Sequence, residues 1–140
     1  MSRKMTVEER EVFLSEVHVG VVSVARENGR APLAVPVWYA YTPGGELVLN
    51  TGKDSLKRRL IEAAGRISLS VQIETPPYRY VTVEGPVTGI TTATAEELRS
   101  VAYRYLDAPS ADGFLAGIDP ASEVTVHMRP EHWISSDFRE

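Results

Sequence analysis

The densest chemistry in this sequence lies at Thr51-Gly52-Lys53-Asp54-Ser55-Leu56-Lys57-Arg58-Arg59. Between 53 and 59, four cations and one carboxylate give +3, so the remainder carries −7 of a net −4. The period of the chain changes here from strand to helix, and the free N–H groups and dipole at a helix start favour an anion. Lys57 offers a point charge, Arg58 a bidentate fork and Ser55 a hydroxyl, which together suit a phosphate. A solvated helix face, on which Lys and Arg cost nothing, accounts for the charge equally well. Asp54 is read as the N-cap, its oxygens turned toward backbone donors and partly neutralised there.

Two aromatic segments could face a ligand. In Val35-Pro36-Val37-Trp38-Tyr39, the aromatic pair and the stiffness of Pro36 could make a flat wall for a conjugated ring, with Val35 and Val37 on the opposite side. A plain core strand is the simpler reading of that stretch. In Tyr78-Arg79-Tyr80-Val81-Thr82-Val83-Glu84-Gly85, alternation puts Tyr78, Tyr80 and Thr82 on one face. They line a pocket or form a cross-strand ladder. His18, His127 and His132 show no metal-ligand spacing, and no nucleotide loop or nucleophile elbow is present. Ser135-Ser136-Asp137 has no hydrolytic base beside it, and Trp133 reads as packing or as a residue reaching a neighbouring subunit.

The elements that must position these residues follow from pattern. The chain has 140 residues, no Cys and no apolar run long enough for a membrane span; its start lacks the hydrophobic core of a signal peptide, so a cytoplasmic protein is expected. Its acidity argues against nucleic acid as a partner. Thr6 with Glu9, and Thr94 with Glu97, have capping-box spacing and predict helices over 6–16 and 94–107. A third helix is predicted over 54–64, ending at Gly65, and at most a short turn near 114–118. Strands are expected at 19–26, 32–41, 46–51, 66–74 and 78–90, the last of these bent at Gly85-Pro86. A final strand runs over 124–128 and 133–138, interrupted by Pro130. Six strands with peripheral helices predict a mainly β, single-domain antiparallel barrel over 1–140.

The order of segments resembles a known family. Gly29-Arg30-Ala31-Pro32, Val35 to Tyr39, Leu47 to Thr51, Ser55-Leu56-Lys57 with Leu60, and Arg79 to Gly85 are similar to the pyridoxamine 5′-phosphate oxidase-like split β-barrels. A weaker match falls at Arg129 to Trp133. The resemblance implies a homodimer with two cofactor sites at its interface. It places a cofactor phosphate on Ser55 and Lys57 with help from Arg58, a flavin-like ring along Val35, Pro36, Val37 and Trp38, and the cofactor's arm near Asn50 and Thr51. Tyr80 stands where many oxidases of the family carry Gln, and Trp133 is the residue expected to reach across the dimer. A pocket built from Trp38, Tyr78, Tyr80 and Trp133 would then admit a flat substrate.

The resemblance therefore implies an oxidoreductase using FMN, with the deazaflavin coenzyme F420 as the alternative, acting on a small flat or conjugated substrate. A non-catalytic flavin or haem carrier is the second reading. Oxidation of pyridoxamine phosphate itself is not expected, because the chain is shorter than those enzymes and its last residues lack their basic segment.

Overall fold

The computed structural model describes all 140 residues. Its strands are β1 (Gly20–Val24), β2 (Leu33–Val37), β3 (Ala40–Tyr41), β4 (Leu47–Gly52), β5 (Arg66–Ile73), β6 (Arg79–Thr92), β7 (Glu123–Met128) and β8 (His132–Asp137). Four helices accompany them: α1 (Val7–Ser15), α2 (Leu56–Ala64), α3 (Ala95–Tyr105) and α4 (Ala108–Ala116). All strand pairs are antiparallel, in the order β2-β1-β5-β6-β7-β4-β3, with β8 added on β6.

That order dictates the shape. β2 and β3 sit at opposite ends of it, yet only Trp38 and Tyr39 separate them in the chain. Three peptide steps span about 10 Å at most, so the sheet must curl until its two ends almost meet. The result is a curled antiparallel half-barrel with helices around it. β6 makes the curl possible: its first half pairs with β5 and β8, and its second half pairs with β7 after a register shift between Val87 and Gly89. Alternation then drives one face of every strand inward, where Val22, Leu49, Leu69, Val81, Val83 and Val126 are fully buried. α1 closes one mouth with Phe13 and Leu14, and α2 contributes Ile61.

Eight strands replace the six expected. The segment 32–41 divides because Trp38-Tyr39 leaves one edge for the other, and the Tyr39 backbone bonds to helix side chains rather than to a ladder. Its N–H donates to the Tyr105 hydroxyl (3.1 Å), and its carbonyl accepts from Arg104 Nε (3.1 Å). The final strand divides at Pro130 as its missing N–H requires, and both parts remain paired with β6. Arg129 and Glu131 bond the carbonyls of Pro86 and Glu84 on either side of Gly85. α4 is a full helix rather than a turn, because the Asp107 side chain accepts from the Ser110 N–H (2.9 Å) and Pro109 suits the first turn. Both predicted capping boxes form, at Thr6 and at Thr94.

The chain ends are tied together. Arg3 and Asp137 exchange backbone bonds, and the fully buried Asp137 carboxylate meets Arg139 at 2.8 Å and Arg3 at 3.1 Å. Arg139's hydrogen bonds hold that carboxyl well below the usual range, at about 2. Ser135-Ser136-Asp137 is thus part of an edge strand with a structural ion pair.

Gly85 is where β6 and the β7–β8 connection approach most closely. A Cβ there would stand 1.8 Å from the Arg129 carbonyl oxygen, against backbone that cannot swing aside. Gly85→Ala is expected to destabilise the fold by about 3 kcal/mol or more in urea unfolding, and a change below about 1 kcal/mol would disprove the close approach.

Candidate functional site

Curling of the sheet leaves a cleft of about 370 Å³ where the end of β2, the end of β4 and the start of α2 face α3 and α4. Pro36, Val37 and Trp38 form one wall, Asn50, Lys57 and Glu123 supply the polar groups, and Leu98, Val101, Ala102, Phe114 and Ile118 roof it. It is mostly apolar with a few convergent polar groups, as small-molecule sites are.

The β4–α2 junction is built by hydroxyls. Ser55, not Asp54, is the N-cap of α2: its Oγ accepts from the Arg58 N–H (3.1 Å) and shares a 3.0 Å hydrogen bond with Thr51 Oγ1. Alternation along β4 turns Thr51 inward, where it is buried and can steady Ser55, while Asn50 turns outward into the cleft. Asp54 is exposed. Asn50 Nδ2 donates to Thr125 Oγ1 (2.9 Å), and its Oδ1 is buried with no partner. The N–H groups of Leu56 and Lys57 precede the first intrahelical bonds and have no partner within the helix.

The four cations of this segment behave differently. Arg58 Nη1 donates back to the Lys53 carbonyl (2.8 Å), and its Nε lies 3.2 Å from Glu62. Arg59 Nη1 donates to the Asp54 carbonyl (3.0 Å), and Lys53 is exposed. Lys57 alone lines the cleft. Burial holds its ammonium below the ordinary lysine range, an effect partly offset by the Glu123 carboxylate.

Trp38 is half-buried and stacks on Tyr105 with ring centres 5.0 Å apart and planes 4° from parallel; Phe114 tilts against its ring at 5.3 Å. Tyr105 also accepts from the Tyr39 N–H and donates to the His18 carbonyl at 2.7 Å, so one helix side chain fixes the crossing between the sheet edges. Val35 packs against the core opposite Val22, as the alternation requires, whereas Pro36 faces outward opposite Val21.

The expected aromatic pocket does not assemble within the chain. Tyr78 is exposed just before β6 begins, and Tyr80 lies on the outer sheet face between Gln72 and Ser136. Trp133 shares the register of Val83 and therefore points inward, edge-on to Tyr41 (6.2 Å) and beneath the Arg10 guanidinium (4.7 Å). Within the chain it packs, partly buried, against the core. The aromatic residues lining the cleft are Trp38 and Phe114 instead, with Tyr105 stacked on Trp38. Leu98, Val101 and Ala102 carry helical spacing that reads as a core face, and only docking of α3 shows that they also roof a cleft. Glu123 has no local signal; pairing opposite Gly52 brings it to the site.

The family profile described as pyridoxamine 5′-phosphate oxidase matches residues 6–136. The chain belongs to the pyridoxamine 5′-phosphate oxidase family. No curated protein matches it in sequence. Among solved structures, an F420 reductase superposes at a TM-score of 0.65 and 24% identity, over 88% of this chain and 94% of its own. A conserved hypothetical protein from Mycobacterium tuberculosis gives 0.72 and 24%, over 96% and 86%. An FAD-binding protein from Mesorhizobium loti gives 0.72 and 19%, over 98% of both chains. At these identities the likeness is one of fold. In this member of the pyridoxamine 5′-phosphate oxidase family, the α3–α4 hairpin lies directly over the end of β2.

If the Tyr105 hydroxyl fixes that end, Tyr105→Phe strands the Tyr39 N–H without its acceptor. Urea unfolding is expected to show a loss of about 1–3 kcal/mol, and unchanged stability would remove the hydroxyl from this role.

Proposed function

We propose that the protein is an oxidoreductase that holds a phosphate-bearing flavin-type cofactor, of the FMN or F420 kind, in the cleft beside Lys57, and that it works as a homodimer. The observation that carries this reading is Lys57. A half-buried ammonium with no carboxylate in ion-pair contact lines a cleft that is otherwise largely apolar. A cation kept away from water is costly, and an anionic group entering the cleft would compensate it. The residues present fit such a cofactor in other respects. The Leu56 and Lys57 amides at the start of α2, unpartnered within the helix, and the Ser55 hydroxyl beside them are donors of the kind a phosphate takes, and the orphaned Asn50 Oδ1 can accept a hydrogen bond from a polyol arm.

When bound, the cofactor supplies hydride or electron transfer, chemistry that no side chain here provides. The chain's own residues bind, orient and exclude water. Lys57 and the start of α2 anchor the phosphate. Pro36, Val37 and Trp38 offer a rigid strand end against which a flat ring can lie, its position set by the Tyr105 stack. Leu98, Val101 and Phe114 keep water from the apolar end. The fold names among similar structures, an F420 reductase and an FAD-binding protein, support a cofactor of this kind.

A second copy of this chain is the proposed occupant of the outer face of β2, β1, β5, β6 and β8. The row Pro36–Val21–Ser70–Thr82–Ile134 crosses all five strands without a charged side chain, and Val21 and Ile134 are 39% and 63% exposed. That uncharged, partly apolar row can meet its own copy without opposing charges, although Glu84 and His132 lie on the same face beside it, and Pro36 joins it to the cleft.

Lys57→Ala is expected to weaken cofactor binding about 10–100-fold in a fluorescence titration, from about 1.5–3 kcal/mol for a charged hydrogen bond. Unchanged affinity would remove Lys57 from the site. Ile134→Lys places a charge on the outer face and is expected to halve the mass seen by light scattering; a mass equal to that of the unaltered chain would disprove this face as the dimer contact.

A further inference from the structure

We propose that α4 is a lid over the cleft: it swings away from α3 to uncover the Trp38 ring, and the Tyr103–Asp112 hydrogen bond is its catch. The inference goes beyond the cofactor reading, because it concerns how any flat ligand reaches the end of β2.

The grounds are how little fastens α4. Its neighbour α3 buries Leu98, Val101 and Ala102, and Arg104 and Tyr105 tie it to the crossing at Tyr39. α4 buries Ala111 alone. No backbone hydrogen bond joins its residues to another element. One side-chain hydrogen bond does so, from the Tyr103 hydroxyl to the Asp112 carboxylate. Both partners are exposed, and the Arg99 guanidinium lies over the Tyr103 ring at 4.8 Å. The joint to α3 is a pair of extended residues, Leu106 (φ −124°, ψ 152°) and Asp107 (φ −65°, ψ 162°). Gly113 weakens the helix from within, and a Cβ there would meet nothing, so packing does not require it. Segments with so few buried apolar contacts are the first to open.

The rings show what such an opening uncovers. Phe114 tilts against Trp38 with ring centres 5.3 Å apart. Rings in contact need about 4.5 Å or more between centres, so no flat ligand fits between these two as they stand. Trp38 is held by its stack on Tyr105 at 5.0 Å, and Tyr105 is held by the Tyr39 N–H and the His18 carbonyl. Phe114 is therefore the ring free to leave. It is half-exposed already, so lifting it removes little further apolar surface from contact. On closing, it would press a flat ligand onto Trp38.

The chain has no Cys, so a single introduced thiol reports alone. Ala111→Cys puts it beneath α4 and Val81→Cys puts it in the barrel, both at fully buried positions. Labelling of the full-length protein with an aromatic disulfide reagent is expected to be about 100-fold faster in Ala111→Cys than in Val81→Cys. Adding Tyr103→Phe or Asp112→Ala should speed labelling of Ala111→Cys about tenfold and leave Val81→Cys unchanged. Equal rates in the two thiol variants, or no response to either catch variant, would overturn the lid. Labelling that slows as protein concentration rises would also overturn it, since a second copy would then be what covers Ala111. Hydrogen exchange in the unaltered chain needs no substitution. A nine-residue helix released from α3 melts, so the amides of 111–117 should exchange about 100-fold faster than those of 98–105. Equal protection would overturn the loose attachment. Saturating FMN should slow labelling of Ala111→Cys about tenfold or more; binding without slowing would overturn the lid. Failure of FMN to bind would count against the flavin reading, while the ligand-free rates still decide the lid.

Discussion

Trp38 and Tyr39 join opposite ends of an eight-stranded sheet, and everything at the cleft depends on how that crossing is held. A two-residue connection between sheet edges has no ladder to satisfy its backbone, and buried N–H and C=O groups left alone are expensive. α3 solves this with two adjacent side chains. Tyr105 takes the Tyr39 N–H and Arg104 takes its carbonyl, while the Tyr105 ring stacks on Trp38. Arg104 also reaches the carbonyls of Ser15 and Glu16 at the end of α1. One turn of one helix therefore ties α1, both sheet edges and the aromatic wall into a unit, and the cleft's shape comes from satisfying a crossing that the curl imposes.

The electrostatics follow from the same geometry. A basic segment of the sequence becomes, in the fold, a segment that spends two of its arginines on its own loop carbonyls and turns one lysine into the cleft. Desolvation leaves that lysine short of its usual affinity for protons, with a glutamate from β7 acting in the opposite sense. The fold thus concentrates a modest charge where it is least screened rather than spreading a large one over a wet surface. Such placement matters more for recognition than the count of cations in the segment.

Much of the architecture was legible beforehand. Thr6 with Glu9 and Thr94 with Glu97 announced two helices, because a capping box is a local device whose parts lie three residues apart. The alternation of Ile67, Leu69 and Val71 announced β5 for the same local reason. Where local signals compete, the reading slipped. Asp54 and Ser55 are both good caps, and Ser55 was selected by its bond to Thr51, whose inward direction is set by β4's register. Gly113 and Gly117 argued against α4, and the Asp107 cap with Ala111 fully buried outweighed them.

The sequence by itself determined the mainly β class, most of the element boundaries, the strand-to-helix junction at 51–57 and the outward turn of Pro36 against Val35. Each is a matter of spacing within a few residues. Only the tertiary structure decided that Trp133 packs against the core, that Tyr80 faces away from the cleft, that Phe114 joins Trp38 in the aromatic wall, and that Glu123 lines the same cleft as Lys57. Those outcomes depend on strand register and helix docking between residues about 50 to 75 positions apart. A one-residue slip in register sends a side chain to the opposite face, and nothing in the local sequence records which register the partner strand supplies.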